Sequence, residues 1–310
     1  MIISVYLPLI AAAVIGFGLR LRRFLPGHPA VRTWAVSLVA TMTAFMSTWS
    51  LVLLATARID RVAFVTERLH LVGELLRRSE HVPPGVSIVA TAYLVVRVYR
   101  VGRVVARSRR ARHASNLFRA KHEGALVVVA DDNPIAFALA GNRRVPGTVV
   151  VSTALFTTVP VEQRRAVLAH EHAHLALRHH AHRGAVNIAV ALEPFLAPAA
   201  GLSRRAIERW ADEHAATDPS QRRNAADAIV TFLHHIATPT IGAAPGVAVR
   251  LGGLAYADND ADARIEALLQ SPPRRRISHA IPVALVTAAV AAATGDATQR
   301  LAHLVHAAIR

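Results

Sequence analysis

Three apolar runs in the first hundred residues, Met1–Leu19, Trp34–Ala57 and Val82–Val98, constrain this chain more than any other feature. Crossing the hydrocarbon of a bilayer takes about 20 residues, with a range of roughly 17–25, and each run reaches that length. A mean hydropathy of +0.34 points the same way. The first run has no basic segment before it and no small-residue cleavage site, and its positive charges follow it, so it reads as a retained span rather than a signal peptide. The loop RLRRFLPGHPAVR is purely basic, Arg58–His81 mixes both signs, and Arg100, Arg103, Arg107, Arg109, Arg110 and Arg112 follow the third run. Because arginine is retained on the cytoplasmic side, the N-terminus and Arg58–His81 are expected outside, and everything from Arg100 inside. The expectation is a multi-pass protein of the bacterial inner membrane, with the lipid bilayer as a partner and its soluble bulk facing the cytoplasm.

The net charge of +16 fits that topology, and it also fits a nucleic-acid binder. No basic strand studded with aromatics and no recognition-helix pattern is present, so direct nucleic-acid binding is not expected. With no cysteine there are no disulfides, no thiolate ligands and no thiol nucleophile. Any metal must be held by histidine and carboxylate. Ile277–Thr294, preceded by PPRRR, reads as a fourth span, leaving an amphipathic tail of Leu301, Leu304, Val305 and Ile309. Ala185–Leu202 is interrupted by Glu193, Pro194 and Pro198, and its path depends on the chemistry around it.

That chemistry centres on VEQRRAVLAHEHAHLALRHH, Val161–His180. Pro160 at the entry, Glu162 in the first turn and apolar residues at helical spacing predict a helix through His180. His170 and His174 then share one face, about 6 Å apart along the axis, where both imidazoles can converge on one ion. In an H-E-x-x-H arrangement a bound Zn2+ supplies Lewis acidity, and Glu171 takes a proton from water and passes it to the leaving amine. Chance alone yields this pattern about 0.03 times in a chain of this composition. His172, His179, His180 and His182 are read as surface or interface histidines. His180 stands where some zinc peptidases place a third ligand, but they need a glycine at the position of Leu177 to turn the chain back. On an unbroken helix His180 lies roughly 15 Å from His170 along the axis, too far to share an ion.

The third ligand is expected from AIERWADEHAA, where Glu208 and Asp212 lie four apart on one helix face. Glu208 can bind the metal, and Asp212 can accept the second ring N–H of a ligand histidine. For His170 and Glu208 to meet at one ion, Ala185–Leu202 must turn back as a hairpin rather than cross the membrane.

NPIAFALAG, GTVVVSTALF, VPVEQRRAVLAHEHAHL, EPF and ERWADEHAA together resemble the integral-membrane gluzincin peptidases. The likeness is greatest to the BlaR/MecR signal transducers (M56-like), with a sister resemblance to the HtpX and CAAX-prenyl endopeptidases (M48-like). It covers roughly Asp131–Ala216, and the flanking spans match in arrangement only. The resemblance implies zinc on His170, His174 and Glu208, Glu171 as base and Asp212 behind a ligand histidine. It implies a protein substrate, a winged-helix repressor of the BlaI/MecI type, with membrane-protein quality control as the alternative and an inactive scaffold or nucleic-acid binder as a third. Only residues 295–310 follow Thr294, so the penicillin-binding sensor of BlaR/MecR is expected to be absent.

Ile135–Gly141 and Thr148–Ser152 read as two short strands joined through NRRVPG. By the same resemblance Ala136, Phe137, Ala138, Leu139 and Ala140 form either the edge that pairs with an extended substrate or a plain core strand. His214, His234 and His235 are candidates to stabilise the oxyanion, without a ranking. The role of Ser271–Arg276 is topological, with self-cleavage as the alternative. The fold class is a mainly α membrane protein, with spans flanking an α+β zincin domain built on a short sheet and the HExxH helix. Its parts are three spans in 1–99, a cytoplasm-facing metalloprotease domain in 100–276 with an apolar hairpin at 185–202, and a fourth span and tail in 277–310. The oligomeric state has no signal in the sequence.

Overall fold

A computed structural model describes residues 2–20, 27–56, 83–122, 124–142, 145–237 and 260–273. The loop Arg58–His81, the expected fourth span, its tail and residues 274–276 of the basic linker lie outside the described residues. The described part is mostly helical, with one small mixed sheet.

Among the described residues three helices come first: α1 (Ile2–Arg20), α2 (Pro29–Thr56) and α3 (Pro84–Lys121). Among the described residues, Pro29–Ala55 is the one helical segment long and apolar enough to cross a membrane, and Pro8–Arg20 adds a shorter apolar stretch. The third expected span begins α3, but that 38-residue helix runs without a break from its apolar start into the arginines. The boundary drawn at residue 100 therefore falls inside a continuous helix.

Pro29 starts α2 where a missing N–H costs nothing, and the ring of His28 accepts the Ala30 N–H at 3.1 Å. The buried side of α2 is Thr33, Ser37, Ala40, Ala44, Ser47, Leu51 and Leu54, alternating by four and three. Such a seam of small residues lets neighbouring helices approach closely, and Trp34 and Phe45 face outward. Thr33, Thr41 and Thr48 return their hydroxyls to carbonyls four residues back, so these polar groups are satisfied within the helix.

Strands β1 (Leu126–Val129), β2 (Ala136–Leu139) and β3 (Thr148–Ser152) form a sheet in the order β1-β3-β2. β3 pairs parallel with β1 and antiparallel with β2, and its Val149, Val150 and Val151 are fully buried. The two expected strands are β2 and β3. β1 was not anticipated, because LVVV is short, follows a basic helix and pairs with a strand that is not its sequence neighbour. Ser152 ends β3 and caps α4 (Thr153–Thr158), its hydroxyl accepting the N–H groups of Leu155 and Ile135.

The remaining helices are α5 (Val161–Ala176), α6 (His179–Leu192), α7 (Ala197–Ala215), α8 (Pro219–Ala237) and α9 (Ala261–Leu269), with a 3-10 turn, Pro194–Leu196, between α6 and α7. Residues 185–202 therefore turn back: α6 and α7 pack against each other and both pack on α2. The turn is held by Glu193, whose carboxylate accepts the Phe195 N–H, and by α1, where a Cβ on Gly16 would overlap the Phe195 carbonyl. Buried Arg222 ties α8 to α9 by donating to the Ala267 and Leu268 carbonyls and pairing with Glu213. α5, between the edge strand β2 and helices α7 and α8, carries the histidines.

Candidate metal centre

The helix expected through His180 ends instead at Ala176. Arg178 takes the left-handed conformation at φ 50°, which costs a residue with a Cβ about 1–2 kcal/mol. The Arg178 N–H bonds the Leu175 carbonyl, and α6 starts in a new direction at His179. No glycine signals this break, so hydrophobic periodicity could not reveal it. Its consequence is that His179, expected at the surface, folds back into the interior and is 1% exposed.

His170 and His174 project from one face of α5, and α7 brings Glu208 and Asp212 to meet them. The two ring Nε2 atoms are 3.0 Å apart, and Glu208 Oε2 lies 3.3 Å from that of His170 and 3.5 Å from that of His174. Behind this triangle, His170 Nδ1 meets Asp212 Oδ1 at 2.9 Å. Asp212 is held in turn by a two-pronged pair with Arg264 of α9, at 2.8 and 2.7 Å. His174 Nδ1 meets His179 Nδ1 at 2.8 Å, and the His179 ring lies 5.1 Å from that of Trp210. On the outer side Arg183, half-exposed, stands 3.4 Å from the other oxygen of Glu208.

The electrostatics follow from this wiring. Burial works against ionisation of Asp212, but Arg264 and His170 outweigh it and hold the carboxyl well below the usual range. Burial likewise opposes the charge of Glu208, and hydrogen bonds to His170 and His174 keep it a carboxylate. For His170 burial favours the neutral ring, yet bonds to Asp212 and Glu208 raise it to about 9. Burial, then the charge of His174, lowers His179 to about 3, so that ring is neutral.

An ionised Asp212 keeps a proton on His170 Nδ1, and the neutral ring then presents a lone pair at Nε2. If His174 donates from Nδ1 to neutral His179, its Nε2 also presents a lone pair. Two nitrogen lone pairs and a carboxylate oxygen then converge in a buried space, at 3.0, 3.3 and 3.5 Å from one another. At 3.0–3.5 Å these lone pairs are relieved by a shared proton or by a cation between them. Bonds to Asp212 and Glu208 that raise His170 to about 9 favour a proton in that role in the metal-free fold. Tetrahedral zinc with bonds of about 2.0–2.2 Å sets its ligands roughly 3.3 Å apart, so the donor set and spacing fit the metal. His170, His174 and Glu208 are the residues that could hold it.

Glu171 is buried on α5 beside His170. Ala136–Leu139 is the edge strand beside α5, with its other side hydrogen-bonded to β3. His214 and His234 are exposed, and the side chain of His235 lies outside the described residues. His172 is exposed with its ring on the Leu168 carbonyl, and His180 is exposed. His182 corrects the surface reading a second time: it is buried, 3.1 Å from the Ser37 hydroxyl of α2 and edge-on to Trp34. The sequence reading also missed Arg264 and Arg183. Neither has a local signal, because each reaches the centre from another helix.

The model of Peptidase family M48 matches residues 103–207. The match contains His170, Glu171 and His174 and ends just before Glu208, and it supports a zinc-dependent metallopeptidase. The greater likeness expected from the motifs, to BlaR/MecR, is not confirmed by this match. No curated protein and no solved structure matches the chain.

Proposed function

We propose that the chain is a membrane-anchored zinc endopeptidase whose site faces the cytoplasm. The observation that carries this reading is the convergence of His170 Nε2, His174 Nε2 and Glu208 Oε2 in a buried space, with Asp212 and His179 behind the two rings. Zinc, when bound, supplies Lewis acidity to the attacking water and the scissile carbonyl. Glu171 accepts the proton of the water and returns it to the leaving amine. Asp212, fixed by Arg264, keeps the His170 proton on Nδ1 and so keeps Nε2 available. Ala136–Leu139, whose side away from β3 has no strand partner among the described residues, offer that side to an extended substrate backbone, with Ala140 just beyond. Arg183, at the rim, places a positive charge near the oxygens of the reacting group.

For the substrate, the M48 match favours membrane-protein quality control of the HtpX kind. A winged-helix repressor remains the second reading, carried by the motif likeness to BlaR/MecR. The membrane setting rests on the α2 segment Pro29–Ala55, with α1 and the start of α3 as further spans and the arginines setting the orientation.

The test is zinc content by elemental analysis of detergent-purified wild type and Glu208→Ala. Cleavage of a misfolded membrane-protein reporter and of a winged-helix repressor is followed in parallel, against Glu171→Gln. The expected result is about one zinc per chain, sharply reduced in Glu208→Ala, with cleavage abolished in Glu171→Gln. Zinc retained fully without Glu208 would remove the third ligand from this reading, and cleavage surviving in Glu171→Gln would remove the base.

A further inference from the structure

Away from the metal centre, the outer face of α3 changes character over a single turn. From Pro84 to Tyr99, roughly 24 Å of helix, it presents Ile88, Val89, Val95, Val96, Val98 and Tyr99 outward, each about half to two-thirds exposed. Arg100, Arg103 and Arg107 follow at once, three and four residues apart and all exposed. They do not form a flat charged stripe. α6 runs alongside and closes a groove of about 450 Å³, with Val104, Val190 and Ala191 as its floor and Ser108 and Asn187 as neutral hydrogen-bonding groups. Arg100 Nε donates to the Ala191 carbonyl at 3.2 Å, which fixes the two walls, and Arg103 lies over the Tyr99 ring.

The charge in this groove is uncompensated. No carboxylate lines it among the described residues, and none of its three guanidiniums forms an ion pair there. By contrast the neighbouring cation one turn back, Arg97, is buried and paired with Glu193. Three guanidiniums with no carboxylate beside them among the described residues, above an apolar floor that opens onto an exposed apolar face, suit a ligand anionic at one end and apolar at the other.

We propose that the α3–α6 groove binds the phosphate headgroup of an anionic phospholipid, with its acyl chains lying along the Val95–Tyr99 face. Guanidinium pairs bidentately with phosphate oxygens, and Ser108 and Asn187 supply neutral donors beside them. The α3–α6 contact then sits at the cytoplasmic headgroup level. The site anchors α6, and through it His179 at the start of that helix, at a set depth below the membrane surface. This rests on the membrane part of the proposed function and not on its chemistry.

The test uses the full chain purified in neutral detergent, with retained lipid counted by native mass spectrometry as dioleoyl phosphatidylglycerol or dioleoyl phosphatidylcholine is titrated. Phosphatidylglycerol is expected to bind and phosphatidylcholine not. Arg100→Gln/Arg103→Gln/Arg107→Gln should weaken binding on the order of 100-fold, taking a contribution of about fivefold for each arginine near the surface. Arg103→Gln/Arg107→Gln, which keeps the Arg100–Ala191 bond, should weaken it about 30-fold by the same reckoning. Arg109→Gln/Arg110→Gln/Arg112→Gln removes equal charge from the same helix outside the groove and should leave binding within about threefold. Equal losses in both triple variants would overturn the site in favour of diffuse surface charge. Competition by inorganic phosphate at the lipid's own concentration, or displacement of the lipid by a DNA oligonucleotide, would overturn the lipid as its ligand. Alkaline carbonate extraction of wild-type membranes separates the two levels: release of the chain overturns the membrane reading itself, whereas retention without selective lipid binding overturns the groove alone.

Discussion

Around Arg97 and Glu193, between α2, α3 and the α6–α7 turn, a cation and an anion meet 2.5 Å apart, each 1% exposed. Arg97 also donates to the Ser47 and Thr48 hydroxyls and lies over the Tyr93 ring. Around His170, His174 and Glu208, three electron pairs meet, with Arg183 3.4 Å from the outer oxygen of Glu208 and Arg264 4.0 Å from Oε2. Both clusters are buried and both bridge distant parts of the chain. The first is neutral as a unit and is completed by the fold. The second could hold a cation from outside. A buried polar cluster whose charges cancel is structural, and one whose lone pairs point at each other is a site.

The sharpest way to break this contrast is to remove one charge from the complete cluster. Arg97→Ala leaves Glu193 buried and unpaired and is expected to cost about 3–5 kcal/mol, read from chemical unfolding followed by circular dichroism. Replacing both partners, Arg97→Met with Glu193→Met, should be close to neutral, because desolvation and pairing disappear together. Zinc binding should be unchanged in both. A single variant as stable as wild type would mean that the pair does not close the α6–α7 turn onto α2 and α3.

For the incomplete cluster the effect has the opposite sign. Saturating zinc, at about 1,000 times its dissociation constant, should stabilise the chain by about 4 kcal/mol, and a chelator should reverse this. Glu208→Ala should lose the response and Arg97→Ala should keep it. Within the site the two histidines are braced differently, His170 by a carboxylate and His174 by a neutral ring. His179→Ala is expected to weaken zinc binding by about 10- to 100-fold, and His179→Asn to recover part of it, since the amide oxygen can accept the His174 N–H. Recovery no better than with alanine would make His179 a packing residue.

A separate effect is expected on pH. His170 in the metal-free fold is raised to about 9 from an ordinary 6.5. A raised value stabilises the fold fully below 6.5, and that contribution is lost as pH rises through about 9. Zinc must displace the same proton, so its affinity should rise by up to about tenfold per unit between those limits, measured by calorimetric titration. The Arg97–Glu193 cluster, with no group exchanging a proton for the metal, should contribute nothing to that slope.

Much of the centre was legible because its parts sit at fixed spacing on single helices. His170, Glu171 and His174 share α5, and Glu208 and Asp212 share α7, so a period of 3.6 residues sets the faces they occupy. The need for both halves to reach one ion also implied that Ala185–Leu202 turns back. Residues acting across elements were not legible. Arg264 reaches Asp212 over 52 residues. β1 pairs parallel with a strand it does not adjoin in sequence. His182 is satisfied by Ser37 on another helix.

The sequence by itself determined the ligand types, the helical registers of the two motifs, the absence of thiol chemistry and the apolar character of α1, α2 and the start of α3. Each of these depends on residue identity and short-range spacing. Tertiary structure alone decided that α5 stops at Ala176, that His179 rather than His180 returns to the centre, and that Arg97 and Glu193 cancel inside the packing. The break at Arg178 sets a local conformational cost of about 1–2 kcal/mol against the burial of His179 and the packing of α6 on α2. No local pattern carries that balance, because part of its favourable side comes from α2, more than a hundred positions away, and part from Trp210 on α7.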